Sequence, residues 1–507
     1  MEEGKVGESP SSKESEEVFK DSLSIAEEIA SSMVNILDDK PTPHKFARIL
    51  VDEIKSRIPV KTFVQGNSLI GIYVYEKGVY REGEREVRAI FDSVMNFLRM
   101  EERSRRYSGY LNDFMSILRN STIAEATLNE KIVLYYDIGI DWEAFFYSGL
   151  PGHEDEKWVF NPSPDLMAVH RIPWRIDLDV LARYRDKELE SVLEGFRNET
   201  VISKYYEDWV GDKYPLLLQL TGYTLLAGKY PLKSFFTIFG DRNSGKTTFA
   251  NLLEKLLGEE NISNETFQDL ASDKKRFSRA ELFHKMANIC DDLPSEIVQE
   301  TGWIKMLTGE SRIRAERKFK DPFTFYNYAK LIFLCNDPPI VRKADEAFWD
   351  RARVIEFPNT FQKDEGKKKA ILEEVLPMDA PKLLAFSLSA VKHAYADGKF
   401  YKQDTPEDSK RKWMRRADPV FNFLETGKEG GWIKEEEGFR EESSRTYNLY
   451  SRFCDVEGLE NVGKTMFTRR MGYYGHLIYP ALGKKYYKGI KILWDKLPEE
   501  LRESSGL

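Results

Sequence analysis

The sequence predicts a multidomain α/β protein: a parallel-sheet core with a phosphate-binding loop, an α+β domain before it and a winged-helix domain after it. Three observations lead there. The run FFTIFGDRNSGKTTFANLLEKLLG (235–258) places a glycine, four residues and then Gly-Lys-Thr between an apolar strand-like run and a helical repeat. Downstream, HKMANICDD and AKLIFLCND are short apolar runs that end in polar residues, as buried strands with chemistry at their carboxyl ends do. Near the C-terminus a helix–turn–helix pattern with a basic second helix is followed by two strand-like runs that carry four lysines.

Composition sets the bounds. A chain of 507 residues is expected to form roughly two to four domains, each able to bury its own core. Apolar content of 41% and charge of 32% suit a soluble globular protein. A net charge of −8 carries no global nucleic-acid signal, so any such surface must be a local basic patch. Cys290, Cys335 and Cys454 are too few and scattered for a disulfide framework or a zinc cluster. With no N-terminal run like a signal peptide, the expected location is intracellular, in the cytoplasm. The apolar run Tyr214 to Gly228 holds Gln219, Thr221 and Thr224 and reads as a buried helix, so no membrane partner is expected.

The elements follow in order. Residues 1–17 are Ser- and Glu-rich and read as a disordered acidic tail. Residues 18–200 read as an α+β collar or scaffold domain, with LIGIYVYEKGVY as a hairpin turning at Glu76-Lys77-Gly78. Primer synthesis would need clustered carboxylates, commonly two apart on a strand. Asp137 and Asp141 in YYDIGID have the wrong spacing, and the six histidines form no metal set. Residues 201–360 form the loop-bearing core, 361–408 a helical linker, and 409–507 the winged-helix domain.

The chemistry expected of the core follows from its motifs. Backbone N–H groups of Gly240, Asn243, Ser244, Gly245, Lys246, Thr247 and Thr248, at a helix N-terminus, would wrap the phosphates of ATP. Lys246 would reach the outer phosphates, and the Thr247 hydroxyl would ligate Mg²⁺. At a strand end beside the loop, Asp291 can hold Mg²⁺ through water and Asp292 can polarise the attacking water; the alternative is a solvated acidic turn. Asn336 can orient that water, and Arg351 can stabilise charge on a neighbouring subunit's triphosphate or merely pair with Asp350. RIRAER and DPFTFYNY read as two strands with a Lys318-Phe319-Lys320 tip, able to hold a phosphate and a base, although an isolated KFK is ordinarily a solvated turn. Between Gly463 and Leu493 stand Arg469, Arg470, Lys484, Lys485 and further cations with no acid, a footprint for duplex DNA.

Together, GDRNSGKTT, NICDDLP, LTGESRIRAERKFKDPFTF, KLIFLCNDPP and AFWDRARVIEFP resemble superfamily 3 helicases, in particular the poxvirus-type primase-helicase branch of viruses, phages and plasmids. The resemblance covers about residues 70 to 360. It implies an AAA+-like ATPase that assembles as a homo-oligomeric ring, usually a hexamer, around single-stranded and duplex DNA and moves 3′ to 5′. It also implies replication of such an element, with a separate primase or polymerase as a further partner. Carried over by position, Lys246 and Thr247 bind ATP and Mg²⁺, Asp291 and Asp292 are the second acidic motif, and Asn336 is the sensor. Arg351, with Arg353 as the alternative, is the trans-acting finger, and Lys318 and Lys320 lie on the DNA-gripping hairpin. Where relatives commonly read TGGD, this chain has Thr308-Gly309-Glu310-Ser311. The competing functional class is an origin-binding or DNA-remodelling ATPase without processive unwinding.

Overall fold

Alternating apolar side chains in short runs build the centre of the molecule. The computed structural model describes residues 13–37, 41–65, 68–100, 107–124, 127–153, 156–291, 293, 297–318, 321–362, 364–481 and 483–502. Five strands form one parallel sheet in the order Ala352–Phe357, Phe235–Gly240, Lys330–Cys335, Ala287–Asp291, Ile262–Ser263. Period-two alternation divides the four longer strands between two cores. Phe236, Ile238, Ile332, Leu334, Ile355 and Phe357 face one core, and Phe235, Phe239, Leu331, Phe333, Ala352 and Val354 face the other. Both faces are covered, which is why these runs are apolar throughout.

The chain leaves Phe235–Gly240 for the far edge of the sheet, works back to Lys330–Cys335, then crosses to the other side of its starting strand. The outgoing connections of these two central strands therefore diverge, and a crevice opens beyond their carboxyl ends. Helix Lys246–Leu257 packs in the first core; the short helix Glu346–Trp349 packs in the second.

The first core extends well beyond the sheet. It takes in the four-stranded mixed sheet ordered Val159–Phe160, Ile138–Asp141, Asn129–Tyr135, Ala168–Ile172, and the helices Ile202–Val210, Tyr214–Thr224 and Leu376–Asp397. Every residue of Tyr214–Thr224 is buried, as its composition suggested. Leu376–Asp397 lies in the stretch read as a linker, yet Leu383, Leu384, Phe386 and Val391 are fully buried. It packs so closely that a side chain at Gly222 would collide with the Ser387 carbonyl. The helix is therefore part of the core. Pro406–Ala417 also belongs there, because Trp413 is buried in the second core and donates to the Pro339 carbonyl at 2.8 Å.

On the N-terminal side, helices Lys13–Val34, Pro43–Arg57, Glu84–Phe97 and Tyr107–Ser121 pack with the antiparallel sheet Val60–Gln65, Ser68–Glu76, Val79–Glu82. The turn at Glu76-Lys77-Gly78 is present, with Glu76 paired to Val79. The first helix begins at Lys13, inside the stretch expected to be a tail; its Lys and Glu residues are good helix formers. Asp141 caps helix Trp142–Tyr147 and Asp137 pairs with Arg175 at 2.8 Å, so both carboxylates have structural partners.

The C-terminal unit runs helix Pro419–Glu429, strand Ile433–Glu442, helices Ser443–Glu457 and Lys464–Tyr473, then strands Ile478–Ala481 and Lys484–Ile492. The three strands form one antiparallel sheet with Lys484–Ile492 in the middle, over a core of Phe423, Trp432, Tyr450, Phe453 and Phe467. All three cysteines are buried. No helix among the described residues is long and apolar enough to cross a membrane.

Candidate nucleotide site and candidate nucleic-acid surfaces

The 240–248 loop joins the central strand to helix Lys246–Leu257 at the mouth of the crevice. Two glycines are dictated by space. Gly245 caps the helix at φ +96°, and a Cβ there would sit 2.5 Å from the buried Trp209 ring. A Cβ on Gly240 would lie 2.6 Å from Ser244 Oγ and 2.7 Å from the Phe357 carbonyl oxygen. Asn243 is also left-handed, at φ +62°, and its carbonyl accepts from Phe361 N at 2.9 Å. Asparagine tolerates that conformation better than most side chains.

Lys246 opens the helix, and its ammonium is gathered into the loop. Nζ donates to Gly240 O at 2.7 Å, Asp241 O at 2.8 Å, Ser244 Oγ at 3.3 Å and Asn336 Oδ1 at 3.1 Å. Burial lowers its pKa from the ordinary lysine value, while the charge of Asp291 opposes that shift. Ser244 is buried, Thr247 is exposed and Thr248 half-buried in the first helical turn. Asp291 ends its strand in register with Leu334, so its exposed carboxylate belongs to the same end of the sheet as Asn336. Asp292 lies outside the described residues.

A further cation stands at this mouth, one that motif spacing did not single out. Arg416 ends helix Pro406–Ala417 and pairs with Asp241 of the loop. Its Nε donates to the Asn336 carbonyl at 3.1 Å and pairs with Asp337 Oδ1 at 3.0 Å. Burial alone would lower its pKa, but Asp241 and Asp337 hold it above the ordinary arginine value. Only the basic run SKRKWMRR marked it in the sequence, where it read as part of the DNA-binding domain.

Arg351 and Arg353 sit at the opposite end of the sheet. Ala352 pairs with Phe235 and Phe357 with Gly240, so Arg351 is about 20 Å from the loop along the strand. That separation excludes a contact with a phosphate held on the loop of the same chain. Arg351 donates to the Ala347 carbonyl at 2.5 Å. Arg353 is buried, donates to the Asp350 and Ala352 carbonyls, and burial pushes its pKa down to about 10.

The hairpin Arg312–Ala315/Phe323–Tyr326 forms as two antiparallel strands. Ile313, Ala315, Phe323 and Phe325 turn inward, while Arg312, Arg314 and Lys318 are exposed. Phe319 and Lys320 lie outside the described residues. Arg317 fastens the base: it donates to both Glu82 oxygens, at 3.1 and 3.0 Å, and stacks over Phe283 and Phe323.

In the C-terminal unit the basic residues divide. Arg469 and Lys485 are exposed, and Lys484 is exposed but pairs with Glu442 at 2.7 Å. Arg470, also expected to contact DNA, has a partner within the unit. It turns inward to Asp418 at 2.8 Å, and Tyr474 donates to the same carboxylate at 2.6 Å. Asp418 is only 1% exposed and would otherwise be an uncompensated buried charge.

Comparison with known proteins adds the following. Residues 238–352 match a family of unknown function, DUF5906. The chain is 26% identical over 213 residues to Putative helicase L207/L206 of Acanthamoeba polyphaga mimivirus, spanning 39% of this chain and 21% of that protein. It is 30% identical over 133 residues to Putative helicase 184R of Invertebrate iridescent virus 6, spanning 24% and 14%. It is 29% identical over 151 residues to Putative helicase 022R of Frog virus 3 (isolate Goorha), spanning 28% and 15%. The matched regions thus span about a fifth or less of each viral protein's length. Among solved structures, the NrS-1 C-terminal region in its apo form aligns over 89% of this chain and 100% of that one, at 12% identity and a TM-score of 0.41. JCV helicase aligns over 49% and 72%, at 17% identity and a TM-score of 0.24.

Proposed function

We propose that this chain is an ATP-hydrolysing DNA helicase that serves the replication of a virus, phage or plasmid-like element. In this reading the parallel-sheet core is a P-loop ATPase of the superfamily 3, AAA+-like type, which works as a hexameric ring and moves 3′ to 5′. The observation that carries it is the convergence of Lys246, Asn336 and Asp291 on a glycine-walled loop at the switch point of a parallel sheet. The names of the viral relatives support the same class.

The residues fit a triphosphate. Gly240 and Gly245 let the loop close against Phe357 and Trp209, and Lys246 already has oxygen acceptors around its ammonium. Backbone N–H groups at the helix start can take phosphate oxygens, and Lys246 can balance their charge. Among the described residues no group of three or more metal-ligating side chains occurs. Mg²⁺ would therefore be held by Thr247, by Asp291 through water, and by the phosphates themselves, where it would offset charge on the transferred group. Asn336 would orient the attacking water, with Asp292 polarising it. Arg351 would complete the site of a neighbouring subunit, since it cannot reach its own.

Single-stranded DNA would contact the Lys318-Phe319-Lys320 tip. Duplex would contact the winged-helix unit through Arg469, Lys484 and Lys485, while Arg470 holds that unit to Asp418. The partners are thus DNA, other copies of this chain and a primase or polymerase, at an intracellular site of replication. The test is ATP hydrolysis with and without single-stranded DNA, in wild type and Lys246→Ala. DNA-stimulated turnover that the substitution removes is the expected result; turnover that survives it would contradict the assignment.

A further inference from the structure

We propose that Arg416 is a second phosphate-contacting cation of the nucleotide site, and that its helix passes the state of that site to the basic C-terminal unit. The proposal rests on the reading of the 240–248 loop as a triphosphate site.

The position is well defined. Trp413 locks helix Pro406–Ala417 into the second core, with its ring edge-to-face against Phe239 at 5.7 Å. One turn on, Arg416 lies over the ends of the two central strands. Lys246 and Arg416 share partners: Nζ of Lys246 takes Asp241 O and Asn336 Oδ1, and Arg416 takes the Asp241 carboxylate and Asn336 O. The two cations therefore flank the same opening.

The carboxylates that hold Arg416 are weak anchors. The Asp241 and Asp337 side chains are 70% and 66% exposed, and ion pairs in that setting are easily exchanged. A guanidinium fork matches phosphate oxygens better than a lysine ammonium does, and two unneutralised carboxylates at the mouth would repel a polyanion. An outer phosphate arriving beside Lys246 therefore competes with Asp241 and Asp337 for Arg416. A diphosphate, one group shorter, has less reach toward it. The site would in this way separate triphosphate from diphosphate by a contact outside the loop motif.

The second half of the proposal follows from what lies two residues on. Asp418 caps helix Pro419–Glu429 by accepting from Val420 N at 2.9 Å. The same buried carboxylate holds Arg470 and Tyr474 from helix Lys464–Tyr473 and its end. Only Ala417 separates the residue that touches the loop from the residue that seats the basic helix. A shift of Arg416 from carboxylate to phosphate is thus delivered to the helix that carries exposed Arg469.

The experiment measures binding of a non-hydrolysable ATP analogue and of ADP to the full chain, for wild type, Arg416→Gln, Asp241→Asn and Lys246→Ala. Arg416→Gln should weaken the analogue by about tenfold and ADP by far less, and Asp241→Asn should tighten the analogue. A wild-type ratio of the two affinities in Arg416→Gln would overturn the phosphate contact. So would an Asp241→Asn protein that binds the analogue no more tightly. Wild type that binds neither nucleotide, or Lys246→Ala that binds both normally, would overturn the site reading itself and this proposal with it. Amide hydrogen exchange in 464–473 should change when the analogue binds wild type and stay unchanged in Arg416→Gln. No change in wild type would overturn the transmission.

Discussion

The two ends of the parallel sheet have opposite characters. At the carboxyl end, Asp241, Asp291, Asn336 and Arg416 are exposed, and the buried Lys246 shares Asp241 and Asn336 with Arg416. At the amino end one lysine is consumed by the fold. Lys330 is fully buried and donates to the Lys229 and Tyr328 carbonyls, at 2.9 and 2.8 Å, and to that of Leu226, with the Tyr223 and Tyr230 rings beside it. Its burial pushes its pKa well below the ordinary lysine value. A lysine can therefore hold structure or be kept available, and its surroundings decide which. Both lysines are hydrogen-bonded, but Lys246 lies at the opening of a crevice, where a ligand can exchange for its partners, whereas Lys330 is fully enclosed and is architecture.

That contrast can be broken by substitution. The largest effect expected is from Lys246→Ala, which should reduce ATP turnover by roughly a thousandfold or more and leave the melting temperature near that of wild type. A collapse of the fold instead would mean that Lys246 is architecture too. Next is Arg351→Ala. Its loss should cost about a thousandfold in the assembled ATPase, and mixing it with Lys246→Ala should restore part of the activity, because an intact loop then meets a neighbour's intact arginine. No recovery in the mixture would contradict a contribution from the neighbouring subunit.

Lys330→Met should do the reverse of Lys246→Ala. Removing a donor from three buried carbonyls should destabilise the protein by about 3 kcal/mol, read as a lowered melting temperature. An unchanged melting temperature would erase the distinction drawn between the two ends. The smallest effect is expected at the periphery. Arg469→Ala with Lys485→Ala should weaken duplex binding at every sequence and flatten the slope of log affinity against log salt by about 2. Arg470→Ala should instead lower stability, because it leaves Asp418 buried without its cation.

What the sequence revealed, and what it hid, divides along the same line. The strand, loop and helix of 235–258 were legible because their signals are local: an apolar run, two glycines and a helical repeat. The strands ending at Asp291 and Cys335, the 312–326 hairpin and the helix–turn–helix near the C-terminus were legible for the same reason. Arg416 was hidden because its partners stand 175 and 80 positions away, where composition shows only a basic run. Arg470 looked like part of a DNA-binding face until Asp418, 52 positions earlier, claimed it. The helix Leu376–Asp397 read as a linker because a helix buried on several sides has no amphipathic stripe to announce its partner.

The central claim is that the Lys246 loop drives work on DNA, and strand separation tests it most directly. Labelled duplexes with a 3′ tail, a 5′ tail or no tail would be mixed with the full chain and ATP, with Lys246→Ala as the control. Separation of the 3′-tailed duplex alone, absent in Lys246→Ala, is the predicted result. Failure to separate any of them, despite DNA-stimulated hydrolysis, would contradict the helicase reading and leave an origin-binding or DNA-remodelling ATPase in its place.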